Sequence, residues 1–179
     1  MRILSKKMLK MKLKTDNPIP VKARLKELFG DWLFISGYLI FLFLLTMGFY
    51  NLILGGIPTF TEAQNQLLAF STSVLPLTVI FAWLDYRKGS FGKRWAGLQL
   101  VYKHKSFAHS VLRSAIKFFP WQLGHMGAIH SAYQADAWSI FLSTSAGILL
   151  LSFLLMGLLR KDKRYPADLL AGTQVQLQD

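Results

Sequence analysis

The sequence predicts an all-α membrane protein: a four-helix transmembrane bundle with both termini cytoplasmic, and room for a short cytoplasmic β-hairpin. Three observations lead there. Of the 179 residues, 53% are hydrophobic and only 17% are charged, against about a quarter charged in a soluble domain. The 21 Lys and Arg residues leave the whole stretch between Glu27 and Tyr86 empty, whereas a soluble domain scatters charge every few residues. The remaining basic residues gather beside apolar runs, which gives the chain a sidedness.

About 20 predominantly apolar residues are needed to cross roughly 30 Å of hydrocarbon. Residues 32–54 meet that length without a charge, and the run is too long for a cleaved signal segment. Residues 67–84 form a second span, with Pro76 as a kink site. Residues 138–159 form the last. Residues 107–129 are apolar and aromatic but carry His109, Arg113, Lys117, His125 and Pro120.

Loop charge decides that segment. Positive residues keep short loops cytoplasmic. Nine Lys and Arg precede Glu27, six lie between Asp85 and Ser106, and four lie between Arg160 and Arg164. The 55–66 loop has Glu62 as its sole charge. An inside leader, an outside Glu62 loop, an inside 85–106 segment and an inside tail require an even number of crossings. Hydropathy alone would make the 107–129 segment an interfacial helix, and a segment that dips in and returns is the alternative, but the loop charges predict that it crosses.

Within it, Arg113 and Lys117 share a helix face. Snorkelling to the headgroups and an inward polar partner are both open for Arg113. Lys117, about 15 Å into the helix, favours the inward partner. Asp31 opens the first span, either as a helix-start carboxylate or as a group that draws a cation, a proton or an Arg into the bundle. It lies seven residues after Arg24, two turns along one face. Ser139, Ser143 and Gly147 repeat every four residues and permit a close helix approach.

The leader, residues 1–23, alternates Lys with apolar residues. A helical face of Leu4, Met8 and Met11 would bind anionic lipid headgroups; a solvated basic tail is the other reading. Pro18 and Pro20 break any helix before Arg24. The inside loop, Phe91-Gly92-Lys93-Arg94-Trp95-Ala96-Gly97, lacks the spacing and the Ser or Thr of a phosphate loop. Residues from Leu98 alternate weakly as a strand, and a second strand near Thr173 could pair with it. Asp168 is either a cap or a partner for Lys93 or Arg94.

The net charge of +12 would suit nucleic acid, but no nucleic-acid motif accompanies it. With no cysteine, disulfides, thiolate metal sites and thiol nucleophiles are excluded. The four histidines lack metal-ligand spacing and no catalytic constellation stands out, so no enzyme activity, cofactor or metal is expected.

These fragments together resemble the RDD family of bacterial membrane proteins over residues 24–177. Arg24 and Asp31 match its first Arg and Asp, and Gly92, Lys93, Arg94 and Gly97 its Gly-Lys-Arg-x-x-Gly loop. Asp168-Leu169-Leu170-Ala171-Gly172-Thr173 matches its ending, and Arg113 falls where many members carry another Arg. Phe91 stands where the family usually has Pro. The resemblance implies a small solute or cation/proton transporter or transporter subunit in the cell membrane, with Asp31 as the ion site, Arg113 setting its charge balance, and homo-oligomerisation. The alternative is a non-transporting assembly, anchor or accessory subunit, in which Arg24, Asp31, Arg113 and Asp168 hold the helices and inside loops together.

Overall fold

The computed structural model describes residues 13–178, so the leader's lipid-binding face of Leu4, Met8 and Met11 lies outside the described residues. The chain is mostly helical, and three helices are long and apolar enough to cross a membrane: Val21–Leu52, Glu62–Arg87 and Ala137–Leu159.

Helix α1 spans Val21–Leu52, with Pro20 at its N-cap. At 1.5 Å per residue it is about 48 Å long, well over a hydrocarbon thickness. Its first turns, bearing Arg24, Glu27 and Asp31, therefore extend past the apolar run. The next span is one helix in three parts. Helix α2 (Glu62–Ala69) is started by a Thr61–Gln64 capping box. A π-helical stretch follows over Phe70–Val74, and then α3 (Leu75–Arg87). The irregularity has an identifiable cause. Pro76 has no N–H to give the Thr72 carbonyl one turn back, and its ring crowds that turn. Tyr38 of α1 supplies the missing donor, its hydroxyl reaching Thr72 O at 2.5 Å.

After the short helix α4 (Phe91–Trp95) and strand β1 (Leu98–Tyr102), helix α5 covers Phe107–Tyr133 and contains Pro120. Helix α6 is Ala137–Leu159, capped by Asp136, whose side chain accepts from Ser139 N. The chain closes with α7 (Pro166–Leu170) and β2 (Thr173–Leu177).

Helices α5 and α6 pack against one another, and α5 also packs on α3. The small residues allow it: a Cβ on Gly127 of α5 would lie 2.4 Å from Ser143 Oγ. Ser143 of the small-residue stripe is thus spent on packing inside the chain, while a Cβ on Gly147 would meet nothing within 4 Å. An aromatic core joins α1, α3 and α5, with Ile35, Leu77, Phe81 and Phe118 buried and Phe34 and Trp121 packed on them.

Strands β1 and β2 pair antiparallel, Leu100 opposite Val175 at the centre. They are not a hairpin, because α5, α6 and α7 intervene between them. The pair clasps the two halves of the chain at one end of the helices. Leu98, Leu100 and Val175 bury their side chains against Ile19, just before α1.

The order of elements also repeats. Each half runs long helix, long helix, five-residue helix, Ala-Gly turn, five-residue strand. The turns match in conformation, Gly97 at φ 69° and Gly172 at φ 60°. A left-handed residue is what ends a short helix and redirects the chain into a strand, and glycine takes it without a Cβ penalty.

Candidate functional site: a buried charge cluster at the clasp end

Arg24, Asp31, Lys93, Arg113, Lys117 and Asp168, singled out in the sequence, end in one place, and Arg94 does not. The site sits where the start of α1, the end of α3, helices α4 and α7 and the first half of α5 meet beside the strand pair.

Its construction begins with a close backbone approach. A Cβ on Gly92 of α4 would lie 2.0 Å from the Glu27 carbonyl oxygen and 2.7 Å from Asp31 N, and one on Gly30 would lie 2.7 Å from Gly92 Cα. Glycine at both positions lets α4 lie directly on α1. That contact puts Gly92 N within 3.0 Å of Asp31 Oδ1, to which it donates. Asp31 Oδ2 accepts from Ser90 Oγ at 3.1 Å and from Lys117 Nζ at 2.9 Å. Asp31 is 4% exposed and has both oxygens occupied.

Next to it, Lys93 is fully buried. Its ammonium lies 3.0 Å from Asp85 Oδ1 and 3.4 Å from Glu27 Oε1, and donates to Ser90 Oγ at 3.1 Å. Burial alone would lower the Lys93 pKa, but the Asp85, Glu27 and Asp31 carboxylates together outweigh it, and the ammonium is held above its ordinary range. Ser90 N donates to Asp85 Oδ1 at 2.9 Å. Glu27 is also paired with Arg24 at 2.7 Å, and Arg24 Nη2 donates to the Lys163 carbonyl at 2.8 Å, tying α1 to the segment after α6.

Arg113 is 1% exposed and bridges two carboxylates on different elements. Its Nη1 donates to Asp85 Oδ2, and its Nε to Asp168 Oδ1 at 2.7 Å. Thr173 Oγ1 donates to the same Asp168 oxygen at 2.9 Å, while Asp168 Oδ2 is buried without a hydrogen-bond partner among the described residues. The Arg113 guanidinium lies over the Tyr165 ring, 5.4 Å from its centroid. Burial pushes the Tyr165 phenol above its ordinary range. Arg164 closes the edge, donating from Nε to Thr173 O at 2.9 Å and from Nη2 to Asp168 O at 3.0 Å.

The cluster is thus four cations (Arg24, Lys93, Arg113, Lys117) against four carboxylates (Glu27, Asp31, Asp85, Asp168). Formally it is neutral, and this is what makes its burial tolerable. An unpaired ion in such a place costs several kcal/mol, and paired, hydrogen-bonded ions offset most of that cost.

The partners differ from those the sequence offered, and the alternative left open for Arg113 closes. Asp168 partners Arg113 and Thr173, rather than Lys93 or Arg94. Lys93 belongs to Asp85 and Glu27, and Arg94 is exposed with no carboxylate within ion-pair distance among the described residues. The cation at Asp31 is Lys117 rather than Arg113. Snorkelling does not describe Arg113, which points into the cluster. Two members were missed: Asp85, read as the edge of a loop, and Glu27, read only as the edge of the stretch without Lys or Arg. The signal that could have found them is charge balance. Basic residues placed on helix faces inside apolar runs demand as many carboxylates nearby, and these were the acidic residues left over at span ends.

The far end of the helices is joined separately. His130 Nδ1 lies 2.7 Å from Glu62 Oε1 and its Nε2 3.3 Å from Asp136, and Tyr133 Oη donates to Phe60 O at 2.5 Å. Among the described residues, no group of three or more His, Cys, Asp or Glu could hold a metal ion. No protein-family model, no curated protein and no solved structure matches the chain.

Proposed function

We propose that the chain is a multi-pass membrane protein of the RDD type. It crosses the bilayer four times with both termini cytoplasmic, and acts as a non-transporting assembly, anchor or accessory module of a larger membrane complex. Three long apolar helices support the membrane placement. The fourth crossing, α5, is supported by loop charge and by the pairing of its cations, since Arg113 and Lys117 enter a neutral cluster instead of facing lipid bare. In the most apolar stretch of α1 only 6% is buried against the rest of the chain, which leaves a face for lipid, a second copy or a partner helix.

The observation that carries the reading is that both oxygens of Asp31 are already engaged by the chain. A cargo-binding carboxylate needs an oxygen available to the ion. Here Lys117, Ser90 and the Gly92 N–H engage both, and the clefts lined by Arg160 and by Lys103 do not reach it. The structural role makes Asp31→Asn a folding defect, because Lys117, whose side chain is only partly exposed, is left without its carboxylate at a cost of up to about 3 kcal/mol. Replacing Lys117 with Met in the same chain then restores expression and folding.

One observation favours the second reading, cation/proton exchange at Asp31. The Lys117 side chain is 21% exposed, while its cluster neighbours Lys93 and Arg113 are at 0% and 2%, so this pair is the least enclosed. Reconstituted protein decides between them. Proton-coupled cation flux lost in a well-folded Asp31→Asn would overturn the assembly reading. Absence of flux, with rescue of Asp31→Asn by Lys117→Met, would support it.

A further inference from the structure

The clasp end carries a second feature that the charge cluster does not use. A cleft of about 290 Å³ opens where the end of β1, the start of α5 and the end of α7 meet. Lys103, His104, His109 and Arg164 line it, with no carboxylate among the lining residues. None of the four side chains lies within ion-pair distance of a carboxylate among the described residues. In the buried cluster every cation is matched by a carboxylate; here Lys103 and Arg164 have no carboxylate within ion-pair distance among the described residues. Arg164 is held at the rim by its hydrogen bonds to Thr173 O and Asp168 O. His109 is anchored through Nδ1 to Ser106 Oγ at 2.6 Å, which leaves Nε2 for another partner.

The same cleft has an apolar lip. Leu169 and Leu170 line it and are 38% and 69% exposed, an arrangement a water-facing turn has no use for. Phe107, 42% exposed, starts α5 beside His109 and packs edge-on against Tyr86. Tyr86, its ring partner, is of the kind that gathers at headgroup depth. The neighbouring cleft of about 370 Å³ is also basic, but it includes Asp162, which already takes Arg160 at 2.9 Å.

We propose that the Lys103–His109–Arg164 cleft is a binding site for the phosphodiester headgroup of an anionic glycerophospholipid. The leucine lip would lie along the acyl chains, and the site is separate from any lipid contact of the basic leader. Unmatched cations attract phosphate, and apolar residues at the rim distinguish a lipid from a soluble anion. The inference rests on the membrane reading, and on the clasp end being the cytoplasmic one.

The test uses the full chain purified in a neutral detergent, titrated with short-chain phosphatidylglycerol, short-chain phosphatidylcholine and inorganic phosphate, with binding read by thermophoresis. Saturable phosphatidylglycerol binding is expected, weakened about tenfold in Lys103→Gln/His109→Gln. It should be unchanged in Arg160→Gln/Lys161→Gln and in a chain lacking residues 1–12. Neither pair of substitutions touches the buried cluster, and an unchanged melting temperature confirms folding. Equal binding of phosphatidylcholine, or equal weakening by the Arg160/Lys161 pair, would overturn the site. Saturation by inorganic phosphate at the same affinity would make it an anion site without a lipid. Loss of binding with residues 1–12 would assign it to the leader. Each of these outcomes leaves the membrane topology intact, so a failure here is distinct from a failure of that reading.

Discussion

Replacing Arg113 with Leu tests the cluster at its most connected point. The guanidinium is 1% exposed and bridges Asp85 of α3 and Asp168 of α7. The two carboxylates are not left equally. Asp85 keeps Lys93 at 3.0 Å and the Ser90 N–H at 2.9 Å. Among the described residues, Asp168 keeps only the Thr173 hydroxyl on one oxygen, the other having no partner already. Most of the loss therefore falls on Asp168. Breaking a buried pair by removing one member costs about 3–5 kcal/mol, which for a chain of this size corresponds to a fall in Tm of about 10 °C. Purified protein in detergent, melted by circular dichroism, reads it directly. Arg113→Leu/Asp168→Asn should recover about 1–3 kcal/mol of that loss, as expected for residues in one ion-pair network. Arg113→Lys should stay defective, because a single ammonium lacks the fork that reaches both carboxylates. A melt within about 2 °C of the parent for Arg113→Leu, or strict additivity in the double variant, would refute the bridging role.

Further outcomes follow from other contacts. Gly92→Ala places a methyl 2.0 Å from a backbone carbonyl that has no room to withdraw; it should cost at least about 3 kcal/mol, the upper end for overpacking, seen as reduced yield and a lower Tm. In alkali, Lys93 and Tyr165 both have folded-state pKa values above their unfolded ones. Their contribution is complete below the unfolded values of about 10 and is lost as pH rises toward the folded ones. Melting curves should therefore show no loss from these two groups between about pH 7 and 9.5 and should fall steeply beyond pH 10. Lys93→Met/Tyr165→Phe should be less stable at neutral pH but lose less of its stability beyond pH 10. A decline as steep as the parent's would sink this assignment.

Hydropathy and charge made much of this architecture legible. The apolar runs starting at Trp32, Leu67 and Trp138 become three helices, because a 20-residue apolar stretch has little else to form. Lys117 was placed inward by depth alone, and its bond to Asp31 shows an inward partner. The weak alternation at Leu98–Tyr102 does become a strand paired with Thr173–Leu177. What stayed hidden depends on tertiary contact. Asp85 ends an apolar run next to Tyr86 and Arg87, with nothing local to show that α3 would turn it toward α5. The π-helical stretch before Pro76 needs Tyr38 from another helix to take the orphaned carbonyl. The duplicated half was readable but missed: Ala96-Gly97-Leu98-Gln99 and Ala171-Gly172-Thr173-Gln174 share Ala-Gly-x-Gln in the same position of each half.

The central claim is that α5 crosses the bilayer with its cations neutralised inside the chain. The chain has no cysteine, so single cysteines at Thr59, Lys105, Ala135 and Gln178 report topology without background. A membrane-impermeant maleimide applied to intact cells should label Thr59→Cys and Ala135→Cys, and should reach Lys105→Cys and Gln178→Cys only after permeabilisation. Labelling of Ala135→Cys from the cytoplasmic side alone would contradict the fourth crossing and, with it, the reason for burying Arg113 and Lys117 in ion pairs.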